Sequence, residues 1–208
     1  MNAEELRPVL TAALRGWAGH EETLRELDAA LGDGDLGITV RSGAGAAADA
    51  ISAAPEDAAL GTLLGAAGRA FATANPSTFA ALVGGGVMAG AKAVSSGPDH
   101  GRDDAVAFGR TVAQRIQERG KAELGDKTLL DALLPSLDAL SEADGDAAQL
   151  CRTLAGVAHE RVAETAAWES KRGRAGWLGE RSVGHADAGS TAYALLLDEL
   201  ATAFEAHS

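Results

Sequence analysis

Apolar residues recur along this chain at every third or fourth position, the period of helices that each bury one stripe. Phe108, Val112 and Ile116 fall four apart, Leu150, Leu154 and Val157 nearly so, and Tyr193, Leu196, Leu197, Leu200 and Phe204 share one stripe. No alternating pattern of the strand kind persists. Glycine, proline and Asx residues interrupt the helical pattern at 32–37, Pro55, Asn75-Pro76-Ser77, 84–86, 95–101, 120–126, Asp144-Gly145-Asp146 and 173–189. The spacing predicts helices over 3–30, 37–53, 57–74, 77–94, 102–119, 127–143, 146–169 and 189–206. The expected fold is all-α: a single domain over 1–208, antiparallel, with short connections.

Composition supports helix over sheet. Ala and Leu lose little side-chain entropy in a helix, whereas aromatic residues make up only 4% of the 208 residues and prolines number 5. A hydrophobic content of 46% is enough for a substantial core. The 18 Lys+Arg against 30 Asp+Glu leave a net charge of −12, which argues against nucleic-acid or anionic-membrane partners. One cysteine, Cys151, excludes an internal disulfide framework and a Cys-rich zinc site. No stretch approaches the roughly 20 apolar residues of a membrane span. The opening Met1-Asn2-Ala3-Glu4-Glu5-Leu6 lacks the basic start and apolar run of a signal peptide, so the expected location is the cytoplasm.

Two connections carry unusual chemistry. Asp28, Asp33 and Asp35 form D-x4-D-x-D among Gly32, Gly34 and Gly37, whose flexible backbone lets three carboxylates point into one small volume. Such anions repel unless a cation sits among them, and hard oxygen donors suit Mg²⁺, Mn²⁺ or Ca²⁺. An EF-hand fails, because Ala44 or Thr39 stands where its bidentate Glu is required. The competing reading is a helix cap by Asp35 with solvated turn carboxylates. Gly84-Gly85-Gly86 could open a helix towards a phosphate or serve tight helix packing; it is no Walker loop, since Ala91 stands where lysine belongs. The segment from Lys171 to Arg181 carries a local charge of +3, suited to a phosphorylated ligand or to helix C-termini. Asp187 in the following stretch reads as a site residue or as a helix cap, and His20, His100, His159 and His207 read as surface residues.

Together these blocks resemble the nucleotide-binding L subunit of dihydroxyacetone kinases, which is also the C-terminal domain of the single-chain enzymes. Leu27-Asp28-Ala29-Ala30-Leu31-Gly32-Asp33-Gly34-Asp35 is similar to the family's L-D-x-x-x-G-D-G-D. Residues 84–90 resemble its glycine-rich nucleotide loop, 125–133 match G-D-K-T-M-x-D-A-L, and 173–189 resemble G-R-A-S-Y-L-G-E-R-S-x-G-H-x-D-P-G.

The resemblance implies an antiparallel barrel of about eight amphipathic helices with ADP or ATP capping one end. It implies that Asp28, Asp33 and Asp35 hold two Mg²⁺ ions. Leu36, Thr39, Gly84 and Gly85 would line the phosphates or nucleoside, Gly120 and Leu129 the base, Arg174 would contact the nucleotide, and Asp187, Ala188 and Gly189 would close the pocket. No catalytic nucleophile is implied on this chain. The acceptor, dihydroxyacetone or another short ketose such as erythrulose, would sit on a separate K-type subunit. The donor would be ATP or a protein of the phosphotransferase system, and a homodimer is compatible with the family. Leu36 and Thr39 stand where the family has His and Asn, and Ala188 stands in place of its Pro. A non-catalytic nucleotide-binding regulatory or adaptor subunit is the alternative.

Overall fold

Among the described residues, Asx, Ser or Thr side chains cap the starts of five helices. In the computed structural model, which describes residues 1–207, Asn2 and Glu5 close a capping box on α1 (Ala3–Ala18). Ser77 caps α5 (Thr78–Gly90), Thr128 and Asp131 box α7 (Leu129–Glu142), Asp146 and Gln149 box α8 (Ala147–Thr165), and Asp187 caps α10 (Ala188–Ala206). The remaining helices are α2 (Glu21–Leu31), α3 (Leu36–Ser52), α4 (Leu60–Ala74), α6 (Arg102–Gly120) and the single turn α9 (Gly173–Gly176), which a 3-10 turn at Gly179–Ser182 follows. No strand occurs among the described residues, as expected of an all-α chain. Among the described residues, no helix is long and apolar enough to cross a membrane.

The packing order is cyclic. α1 lies on α3, each long helix from α3 to α8 packs on the next, α8 packs on α10, and α10 returns to α1. Trp17 of α1 helps seal that last contact: its indole N–H donates to the Ala192 carbonyl of α10 at 2.7 Å, and its ring stacks 5.6 Å from Phe71. One apolar cluster spans α6, α7, α8 and α10 around Leu130, Leu137 and Leu197, and a second spans α1 to α5 around Val40, Leu63 and Phe71. Arg7 donates to the Ile51 and Ala54 carbonyls at 2.6 and 3.0 Å, where its cation meets the negative end of α3.

Several expected boundaries move. The helix expected over 3–30 is two, broken at Gly19-His20, which frees α2 to lie against α3. Residues 84–86 do not interrupt a helix or open one; they lie inside α5. They are small because α4 comes close: a Cβ on Gly84 would stand 2.5 Å from the Gly68 carbonyl oxygen, and one on Gly68 would stand 2.9 Å from that of Gly84. The segment 173–182 contains two short helical turns rather than loop alone. His100 is not a surface residue, for its ring is 6% exposed and bonded to Asp104 at 2.9 Å.

Neighbouring glycines in α5 should respond oppositely to alanine. Gly84→Ala forces α4 and α5 apart and is expected to destabilise by about 1–3 kcal/mol. Gly85 has nothing within 4 Å of its would-be Cβ. Gly85→Ala is therefore expected to stabilise by about 0.5–1 kcal/mol through helix propensity alone. Urea midpoints at unchanged m-value check both.

Candidate functional site

The acidic loop begins where α2 runs out of helix and ends where α3 starts. Asp28 sits in the last turn of α2, Gly34 takes a left-handed φ of 73°, and Asp35 is the residue before Leu36. Asp35 makes no side-chain capping bond, so its carboxylate is not spent on its own helix. Carboxylate oxygens of Asp28, Asp33 and Asp35 all lie within 4.8 Å of one another. Asp28 accepts the Leu36 N–H at 3.3 Å. Burial, reinforced by the Asp28 charge, pushes the Asp35 carboxyl above the usual carboxylate range.

Positive charge reaches this cluster from far along the chain. The Arg174 guanidinium pairs with Asp33 and lies 3.4 Å from both oxygens of Asp35. Arg174 stands on α9, which Gly173 enters at a left-handed φ of 62°. Just before it, Arg172 donates to the Asp126 carboxylate at 2.7 Å and the Lys171 N–H donates to the Asp126 carbonyl at 3.0 Å. Burial works against ionisation of Asp126, yet Arg172 and the Glu123 N–H hold its carboxyl below the usual range.

Four helix N-termini gather at this end. Thr39, in the first turn of α3 and 1% exposed, lies 3.4 Å from the Ser77 hydroxyl that caps α5 and accepts from Asn75 at 3.1 Å. A Cβ on Gly189, at the start of α10, would stand 3.6 Å from the Phe79 ring and 3.8 Å from Leu129 at the start of α7. The Ser190 hydroxyl donates to the Thr128 carbonyl at 2.8 Å, joining α10 to α7. Helix N-termini carry unsatisfied N–H groups and partial positive charge, a setting for anions.

The residues expected from sequence separate into three groups. Asp28, Asp33, Asp35 and Arg174 meet directly, and Leu36 joins them through its N–H while its side chain is 6% exposed in the core. Thr39, Leu129, Ala188 and Gly189 lie at the gathered N-termini, with Asp187 serving as the α10 cap. Burial raises the Asp187 carboxyl, against the pull of its two Ser190 hydrogen bonds. Gly84 and Gly85 do not open a helix, and Gly120 ends α6 beside Leu82. Sequence reading missed Asn75, Ser77 and Phe79. A Ser just after Pro76, at the head of an apolar run, is the start signal that marks the α5 N-terminus.

Oxygen donors alone, close-set and anionic, fit a hard divalent cation such as Mg²⁺. The guanidinium already among them shows that the site holds positive charge.

Comparison with known proteins places the chain in a family. The DAK2 domain profile matches residues 30–202. The chain is 38% identical over 202 residues to an L-erythrulose 1-kinase of Mycolicibacterium smegmatis, covering 95% of this chain and 35% of the relative. It is 28% identical over 185 residues to the ADP-binding subunit DhaL of the PEP-dependent dihydroxyacetone kinase of Escherichia coli, covering 88% of each. It thus spans about a third of the erythrulose kinase. In fold it superposes on the dihydroxyacetone kinase from C. freundii, solved in complex with AMP-PNP and Mg²⁺, with a TM-score of 0.70 at 24% identity, covering 96% of this chain and 33% of that one.

An ion held by these carboxylates would bind in an acid-sensitive way through Asp35. Its raised pKa means the folded state gains stability as pH falls through that value, and loses it as pH rises again. Asp35→Asn is expected to remove this pH dependence and to abolish any stabilisation by Mg²⁺. Thermal melts across pH 4–7, with and without the ion, check both.

Proposed function

Because the chain belongs to the DAK2 domain family, we propose that it is the nucleotide-binding domain or subunit of a short-chain ketose kinase, binding ADP or ATP with two Mg²⁺ ions. The observation that carries the reading is the trio of carboxylates within 4.8 Å of one another, faced by Arg174 at one rim of a helical ring. The ADP-binding relative, the erythrulose kinase relative and a neighbour in fold solved with AMP-PNP and Mg²⁺ support it.

In this reading Asp28, Asp33 and Asp35 hold the ions, which when bound would neutralise phosphate charge and align the terminal phosphoryl group. Arg174 turns from carboxylate to phosphate oxygens, a partner its planar fork suits equally well. The N-termini of α3 and α5, with Ser77 and Thr39, face the anionic tail. Leu129, Gly189 and Phe79 supply an apolar face for the nucleoside. The first turn of α5 takes the place that sequence reading gave to Gly84 and Gly85.

The acceptor ketose sits on a K-type partner, and the phosphoryl donor is either ATP or a phosphotransferase-system protein. An exposed apolar rim supports a partner docking at this end. Ile38, Leu124, Trp177 and Val183, all large and between 42% and 87% exposed, lie on the segments that frame the site. Docking there would exclude water from the reacting phosphate.

Calorimetry with Mg-ADP checks the site. Asp33→Ala is expected to weaken binding at least about tenfold, the consequence of losing a charged contact worth about 1.5–3 kcal/mol. Unchanged affinity would overturn the assignment. With a K-type partner, a ketose panel, and ATP or phosphoenolpyruvate-driven donors, phosphoryl transfer is expected only when the partner is present. Tight nucleotide binding without any transfer would make the chain a regulatory subunit instead.

A further inference from the structure

Lys127 heads the fully buried side chains by volume, at 1% exposure; the Asp187 charge acts on it, but among the described residues no carboxylate makes a direct ion pair with it. A buried ammonium without a direct ion pair is costly unless its donors are satisfied. Here all three are. Nζ donates to the Ala166, Trp168 and Ser182 carbonyls at 3.1, 2.8 and 2.7 Å.

These three carbonyls are not neighbours in sequence. Ala166 and Trp168 stand at the entry of the irregular segment that follows α8, and Ser182 at its exit; Arg174 lies between. The Ala166 carbonyl also accepts the Gly184 N–H at 2.8 Å, and the Ser182 hydroxyl accepts the Ser170 N–H at 2.8 Å. The two feet of the segment are thus drawn together around one cation. Lys127 is itself held in an unfavourable left-handed conformation, φ 58°. Asp131 fixes the turn around it by accepting the Gly125 and Thr128 N–H groups at 2.6 and 2.7 Å. A backbone conformation that disfavours lysine and a burial that disfavours its charge both persist at one residue, so the surrounding structure over-determines it.

We propose that Lys127 is a positioning residue for Arg174: its ammonium ties both feet of the 166–184 segment and so aims the guanidinium at the Asp33–Asp35 rim. The proposal rests on the nucleotide-binding reading and deepens it. Lys127 touches no ligand; it acts through the loop. Asp126 assists from the same turn by holding Arg172 and Lys171, so 125–131 forms a pedestal on which the arginine segment stands.

The test is a double-mutant cycle between Lys127→Met and Arg174→Ala, read by Mg-ADP calorimetry and amide hydrogen exchange. Met keeps the volume and removes the donors. Lys127→Met is expected to leave the helical ring folded, by circular dichroism, while the Ser170, Lys171 and Gly184 amides exchange at least about tenfold faster. It is expected to weaken Mg-ADP binding to about the level of Arg174→Ala, and the double variant to bind no worse than Arg174→Ala. Restoring the ammonium by aminoethylating Lys127→Cys, in a Cys151→Ser background, is expected to recover affinity and protection. If the Met variant does not fold, Lys127→Gln, which retains two N–H donors, is expected to show the same coupling at smaller amplitude. Losses that multiply in the double variant, or amides whose exchange is unchanged, overturn the positioning role while the nucleotide reading stands. A wild-type protein that does not bind Mg-ADP overturns both.

Discussion

Three carboxylates within 4.8 Å of one another set the terms for this end of the molecule. Ionised together they repel, and burial of Asp35 sharpens the conflict by making its own charge harder to hold. Positive charge must come from elsewhere, and a chain with a net charge of −12 is poor in it. Arg174 therefore has to travel: it lies more than a hundred residues away in sequence and arrives on a segment with three left-handed glycines, Gly173, Gly179 and Gly184. A segment that irregular has little helical backbone pairing of its own, so other groups must fix it. Asp126 and Lys127 do so, which makes the G-D-K-T turn and the acidic loop two ends of one electrostatic construction.

The ring of helices serves that construction by placing N-termini where anionic ligands are favoured. Its small residues allow the close approaches that keep the ring tight, as where Gly68 of α4 meets Gly84 of α5. The rim is then set by cross-links between the starts of different helices: Thr39 with Ser77 and Asn75, Ser190 with Thr128, Gly189 against Phe79. None of these is strong alone, a neutral hydrogen bond being worth about 1 kcal/mol net. Their effect is geometric, because each fixes one helix start relative to another.

What could be read in the sequence follows the range of the interactions. Asp28, Asp33 and Asp35 are legible because the cluster is local: eight residues with two glycines suffice to close it. The helices were legible where a stripe persisted over several turns, as from Tyr193 to Phe204. The glycine run was ambiguous for a physical reason. Glycine is chosen both where backbone must approach a ligand and where two helices must touch, and only α4's position shows that Gly84 does the second. Ser77 escaped notice because a helix cap gains meaning as a site residue only once Thr39 is seen beside it. Lys127 was the least legible, since its partners lie 39 to 55 residues on and are backbone carbonyls, which no residue letter records.

The departures from the family pattern at Leu36 and Thr39 follow from the same geometry. At position 36 the loop uses the backbone: the N–H bonds Asp28, while the side chain packs inward with Val40 and Phe71. An imidazole there would have to leave that core or be buried in it. At position 39 a hydroxyl both accepts from Asn75 and reaches Ser77, which ties the first turn of α3 to the stretch between α4 and α5. The carboxylates and the guanidinium are untouched by either change, so the electrostatic part of the site is insulated from the part that varies. Leu36 and Thr39 then set how the first turn of α3 meets its neighbours, while Asp28, Asp33, Asp35 and Arg174 set the balance of charge.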